Sequence, residues 1–242
     1  MVTTSLFEKL PLELITMIFH GLESPRDIQA VIRADSLMLR HFTANRRQFL
    51  GRFQNILKEG FIDTNLSIAL KACRLRHVEN TFPGLDHIQI SQHVESALRS
   101  PQDQRERRSP VWQSSLETIS QLLELLSESD MFVDDYSKEA WDQYQDLTDI
   151  DADHEITWTC RDPKPRAPLL LSRSEDFRIQ RAYLIFDAFR HTLWYDISVL
   201  QNTHVIQMSV FDDSEARWRD GDWGIRAFQS VYRFIFQRYK RP

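Results

Sequence analysis

The sequence predicts an all-α protein, mostly helical throughout, with a small three-helix unit at the N-terminus and a larger, irregular helical domain after it. Three observations predict this. Only 6 glycines occur in 242 residues, and strand-and-turn architectures need more residues that tolerate left-handed turns. The apolar residues recur mostly at helical spacing. No segment repeats itself, which removes solenoids and propellers. The length leaves room for one or two domains with a buried core, and 42% hydrophobic with 27% charged residues is an ordinary globular balance.

The periodicity predicts helices over residues 11–22, 25–33, 36–58 (with an internal break), 64–77, 86–99, 111–128, 137–147, 174–197 and 223–239. Leu10-Pro11 opens the first, with Pro11 at the first helical position, where its missing N–H leaves no bond unmade. Glu13 in the first turn suits the helix dipole. Leu14, Ile18 and Leu22 recur every four residues with Ile15 and Phe19 beside them, an apolar face wider than so short a helix can bury within a small unit. Ser24-Pro25-Arg26-Asp27 has the form of a capping box opening the second helix. Its stripe is Ile28, Val31 and Ile32, and Leu37, Met38 and Phe42 follow on the third. Three short helices in about 45 residues bury too little to stand alone, so the rest of the chain or a partner must cover their apolar faces.

Residues 100–110 form a polar loop between Pro101 and Pro110, and its Arg105, Arg107 and Arg108 are read as solvated because Glu106 interrupts a short run. A second break is expected over 146–168, acidic first and then carrying Pro163, Pro165 and Pro168. Within it Ile156, Trp158 and Cys160 alternate with threonines, so a short strand stays open there, as does strand against helix over 203–211. Ser172 through Glu175 has the form of another capping box. In the helix that follows, Ile179, Ala182, Tyr183, Phe186, Phe189 and Leu193 line one face. Leu184, Ile185 and Ala188 make much of the other side apolar, which predicts a central helix. Phe228, Val231, Tyr232, Ile235, Phe236 and Tyr239 give the last helix its apolar stripe, expected to pack in the core.

Several function classes find no support. No apolar run approaches the ~18 residues of a membrane helix, and the N-terminus does not read as a secretory signal. Two distant cysteines, Cys73 and Cys160, point to free thiols in a reducing compartment, cytoplasm or nucleus. The net charge of −5 hides an acidic stretch, residues 128–162, with 12 acidic against 2 basic side chains. That balance argues against a nucleic-acid partner. Asp149, Asp151 and Asp153 match the first odd positions of a calcium loop, but His154 stands where its glycine belongs and Cys160 where its glutamate belongs. The histidines show no zinc spacing, and neither a phosphate-binding glycine loop nor a nucleophile elbow occurs. The expectation is a chain with no metal, no cofactor and no catalytic role. A metal-dependent enzyme built on residues 149–155 stays as a distant alternative.

Leu10, Pro11, Glu13, Leu14, Ile18, Leu22, Asp27 and Ile28 together resemble the F-box, whose pattern is a leucine-proline start, an acidic-leucine pair, an isoleucine and leucine at helical spacing, and an aspartate opening the second helix. Residues 37–50, and more weakly 177–183, look like the fungal-type branch of that family. The strong part of the resemblance covers roughly a fifth of the chain, residues 5–50 forming the F-box domain and 51–242 a helical domain. There is a departure. Ile32-Arg33-Ala34-Asp35-Ser36 occupies the place where many F-boxes carry a valine, a small residue and a tryptophan, and no tryptophan occurs before Trp112. The resemblance implies a non-catalytic substrate receptor in the cytoplasm or nucleus. Its F-box would bind a Skp-type adaptor, which bridges to a cullin ubiquitin-ligase scaffold, while the remainder recruits an unknown protein substrate. The implied adaptor-binding residues are Leu10, Pro11, Leu14, Ile15, Ile18, Leu22, Ile28 and Val31. The alternative is a helical scaffold protein that uses these helices only in its own core.

Overall fold

The computed structural model of the chain describes residues 6–61, 63–81, 87–98, 111–151, 171–193 and 222–240. Among these the fold is all-α, with eight α-helices, two short 3-10 helices (Leu6–Lys9 and Val111–Ser114) and no strand. In chain order the helices are α1 (Leu12–Gly21), α2 (Pro25–Ala34), α3 (Ser36–Gly60), α4 (Asp63–Thr81), α5 (His87–Leu98), α6 (Leu116–Asp151), α7 (Arg173–Leu193) and α8 (Asp222–Lys240).

Local chemistry sets most of the boundaries. Pro11 is the residue before α1 rather than its first residue, and its carbonyl accepts from the N–H groups of Leu14 and Ile15. The Ser24 box forms as expected: Ser24 Oγ accepts from the Asp27 N–H at 3.1 Å, and Asp27 Oδ2 accepts from the Ser24 N–H at 3.0 Å. Asp35 caps α3 through the N–H groups of Leu37 and Met38. The break expected within α3 falls at Asn45, whose φ of −116° and ψ of 21° leave the helical region. Its side-chain amide donates to the His41 carbonyl there. At α7, Ser172 and Glu175 close the second capping box, with the Ser172 N–H donating to Glu175 Oε2 at 2.8 Å.

One expectation fails. Residues 111–128 and 137–147 do not form two helices: after the short Val111–Ser114 turn, α6 runs unbroken for 36 residues, roughly 54 Å at 1.5 Å per residue. Residues 129–136 contain no glycine or proline to stop a helix. Ser129 is buried by donating back to the Leu126 carbonyl at 2.7 Å, which satisfies its hydroxyl without interrupting the ladder. The helix also runs on to Asp151, past residue 146, where the second break was expected to begin. The possible strands over 156–160 and 203–211, the loop 100–110 and Cys160 lie outside the described residues.

The core centres on α7 against α4, with α6 beside both and α8 packed on α7. Ala182, Leu184, Ile185 and Ala188 are the apolar residues of α7 that are buried, whereas Ile179, Tyr183, Phe186 and Phe189 are half-buried. The helix is central as expected, with the favoured face reversed. A polar tie pins three helices at one end of this core: buried Asn65 donates to Gln180 Oε1 at 2.8 Å, and Gln180 donates to the Gly60 carbonyl at 3.2 Å. The first three helices do not make a separate core. Ile15, Phe19, Ile28, Met38, Phe42 and Phe49 belong to the same buried cluster as Leu75, Trp112, Leu122, Leu125 and Leu184. Residue 50 falls inside α3, which runs straight through it.

Candidate docking face and its supports

α1 is held from one side. Phe19 stacks on Phe49 of α3 with centroids 4.6 Å apart and also meets Phe42 at 6.0 Å. Ile15 and Phe19 are 1% exposed, so their side of α1 is fully sealed. His41 of α3 lies 3.0 Å from Thr16 Oγ1. Arg52 donates to the His20 carbonyl at 2.7 Å, placing a cation on the last turn, where the helix dipole favours one. α3 supplies the main packing for α1, and α2 bridges α3 to α6, where Arg26 pairs with Glu124 at 2.7 Å.

The other side of α1 stays open. Leu14 is 44% and Met17 66% exposed there, and Pro11 is exposed before them; Leu12, 62% exposed in the first turn, lies about 20° from Phe19 around the axis. Leu14, Met17 and Ile18 fall on one helical face. Ile18 is half-buried at its edge, and Gly21 ends it without a side chain and with no neighbour within 4 Å of where one would begin. Of the residues the F-box resemblance singles out, Ile15 and Ile28 are buried, Leu10, Ile18, Leu22 and Val31 are half-buried against the core, and Pro11 and Leu14 are at the surface. Leu12 and Met17, the two most exposed apolar residues of this helix, were missed because neither belongs to the stripe of every-fourth residues.

A charged cluster in the middle of the molecule was also missed. Arg76 of α4 donates through Nε to Asp187 Oδ2 at 2.8 Å and through Nη2 to Asp187 Oδ1 at 2.9 Å. The same guanidinium reaches Glu128 Oε2 of α6 at 2.6 Å. His191 sits against Glu79 through Nδ1 and lies 3.5 Å from Asp187 through Nε2. Burial alone would raise the Asp187 carboxyl. Hydrogen bonds from His191 and Arg76, with their charges, outweigh it and hold the group below its ordinary value. Burial would lower the pKa of Arg76, and its bonds to Asp187 and Glu128 raise it instead. Apart from Asp187 and His191, one helical turn apart, the pairs span 52 to 112 positions, so no signal in the sequence joins the three helices here.

The cluster is structural in its chemistry. Its carboxylates are already bonded, and the nearby Cys73 thiol is pushed up to about 12 by burial, which leaves no reactive thiolate at neutral pH. Burial likewise pushes the Tyr183 hydroxyl to about 12. Among the described residues no three of His, Cys, Asp or Glu sit together as a metal site, and no helix is long and apolar enough to cross a membrane. Asp149 and Asp151 lie in the helical backbone of α6 rather than in the loop backbone that a calcium site of that pattern needs, and residues 153–155 are outside the described residues.

A second open surface lies where α6, α7 and α8 meet. Phe132, Tyr183, Phe186 and Phe234 line a cleft of about 290 Å³, with Arg190 and Arg238 among its lining residues. The rings of Phe132 and Tyr183 stack at 4.6 Å, and Phe234 meets Phe132 edge-on at 5.5 Å. The last helix packs on only part of the stripe its spacing predicts: Val231 is buried and Phe228 half-buried against the core, Phe234 is buried from outside the stripe, and Tyr232 and Phe236 are 44% and 46% exposed.

Fold and surface thus define a class, an all-α protein whose first three helices share their core with the helices after them among the described residues. Comparison with protein-family models, with curated proteins and with solved structures finds no match to the chain.

Proposed function

We propose that this chain is a non-catalytic substrate receptor that docks, through the outward side of α1, onto the Skp-type adaptor of a cullin ubiquitin ligase. The observation that carries the reading is the exposure of Leu14 and Met17 behind Leu10-Pro11, on a helix fixed from its other side by Phe19 and Ile15. Burying a large apolar side chain is worth roughly 1.5–3 kcal/mol. Leu14 and Met17, part of whose surface is already covered, each offer a partner a share of that stabilisation. Docking would hold a bound substrate near the ubiquitin-charged enzyme and raise its effective concentration there. In this reading Pro11, Leu14 and Met17 make the contact, and Ile15 and Ile28 hold the helix in place behind it.

The lack of a tryptophan in residues 32–36 removes an apolar group from the adjoining surface and implies weaker adaptor binding than the family's fuller motif. A scaffold reading has its own support in the core shared between the first three helices and the rest. One experiment separates the two. Co-expressed with the adaptor, the chain co-purifies with it. The double substitution Leu14→Asp with Met17→Asp, at exposed positions, abolishes co-purification and leaves the circular dichroism spectrum and melting temperature unchanged. Failure of the unmodified chain to bind, or undiminished binding by the folded double variant, sinks the proposal.

A further inference from the structure

We infer that the outer side of α8, together with the aromatic cleft beside it, is the cargo-docking surface, and that it takes an acidic peptide segment carrying a phenylalanine-like or leucine-like anchor. This rests on the receptor reading above.

The first observation is a mismatch. The helical stripe of α8 runs through Val231, Tyr232, Ile235 and Phe236, yet the fold buries Val231 and Phe234 and leaves Tyr232 and Phe236 about half outside. The apolar side of the helix is turned partly away from its own molecule. What is left out is ordered: the rings of Tyr232 and Phe236 stack with centroids 6.0 Å apart at 10°, and Phe186 meets Tyr232 edge-on at 6.2 Å. Phe186 also lines the cleft, so shelf and cleft form one continuous aromatic surface. At about 290 Å³ the cleft lies just below the usual ligand pocket of roughly 300–1,000 Å³, a size that suits an anchoring side chain.

The second observation is charge. The carboxylates at this surface are already engaged, Asp187 by Arg76 and Asp135 by Arg238 at 2.9 Å. Arg190 and Arg233 are exposed, and no hydrogen bond or ion pair engages them among the described residues. In a chain of net charge −5, α8 carries Arg226, Arg233, Arg238 and Lys240 against Asp222 alone. Apolar rings flanked by unspent guanidinium groups complement an apolar anchor flanked by carboxylates. A nucleic acid is the less favoured occupant, because its phosphates need a larger basic surface than two open arginines.

Three short fluorescent peptides test this on the full chain by anisotropy: one with a central phenylalanine among glutamates, one with lysines replacing the glutamates, and one with alanine replacing the phenylalanine. The first binds and weakens as salt is raised. The other two bind at least about tenfold more weakly. Arg190→Glu with Arg233→Glu costs the acidic peptide about tenfold or more and leaves adaptor co-purification intact. Leu14→Asp with Met17→Asp does the reverse, so the two readings fail separately. Four outcomes overturn the inference: equal binding of the three peptides; tighter binding of a labelled oligothymidylate; a dimer in sedimentation that Phe236→Glu dissociates; or an affinity gain beyond about tenfold when residues 149–155 are replaced by glycine and serine, which would give the surface to the chain's own acidic stretch.

Discussion

Asp187 shows how far a single residue's behaviour depends on neighbours remote in sequence. Its carboxylate is 6% exposed, a position that would favour the neutral acid, yet Arg76 and His191 keep it ionised. A carboxyl group with a folded pKa below its unfolded value of about 3.9 contributes stability that is present above that pH and lost as pH falls through the folded value. Arg76→Met removes the guanidinium and leaves His191 as the buried carboxylate's remaining partner. The expected loss at neutral pH is about 3 kcal/mol, the low end for a buried pair stripped of one partner, because Arg76 is itself 24% exposed. Without the arginine, His191 alone opposes burial and the preference for ionised Asp187 weakens. The stability gap between variant and parent is therefore widest near pH 7 and narrows below about pH 4. Urea unfolding across that range measures it, and a gap independent of pH would show that the pair contributes through packing alone. None of this was legible beforehand, since Asp187 reads in the sequence as one polar residue on a mostly apolar helix.

Helices were legible where local chemistry decides them. Ser24-Pro25-Arg26-Asp27 and Ser172 through Glu175 opened helices at the expected residues because a cap is a bond between neighbours in the chain. Ser24→Ala, which removes the acceptor for the Asp27 N–H, is expected to cost about 1 kcal/mol. Denaturant titration reads this directly, and Ser24→Asp, which restores an acceptor, recovers most of it. Where local chemistry is silent, distant packing decides. Residues 129–136 fell between two expected helices, but Phe132, Val133 and Tyr136 carry the apolar period through them and no glycine or proline stops the helix. The face of α8 was misjudged for a related reason. Spacing identifies an apolar stripe, but the rotation of a helix about its axis is set by what it meets. Here Tyr136 bonds Ser230 at 2.6 Å and Arg238 reaches Asp135, turning Phe234 inward and Tyr232 out. For α1 the stripe was legible and its inner half was not. Ile15 and Phe19, read as companions of the stripe, are the residues that fix the helix on α3.

For the molecule as a whole, the shared core decides how the receptor reading must be tested. Phe42 and Phe49 lie beneath α1, and Ile28 of α2 is sealed into the cluster that holds Leu122 and Leu125 of α6. Removing the first 35 residues would uncover those side chains and leave the remainder with a damaged core, so loss of binding in a truncated chain would not separate docking from folding. Point substitutions on the open side of α1 avoid this, because Leu14 and Met17 are not part of that core. A single core also predicts one cooperative unfolding transition rather than an N-terminal step followed by a second. A partner that binds only the folded state adds RT ln(1 + [L]/Kd), about 2.7 kcal/mol at a hundredfold excess over Kd, to the stability of everything within that cooperative unit. Adaptor docked on α1 is therefore expected to raise the melting temperature reported by Trp112, which is buried far along the chain in the same core. The chain carrying Leu14→Asp and Met17→Asp melts at the same temperature with or without adaptor. Adaptor that stabilises α1 without moving the transition seen at Trp112 would mean that the N-terminal helices unfold as a unit of their own.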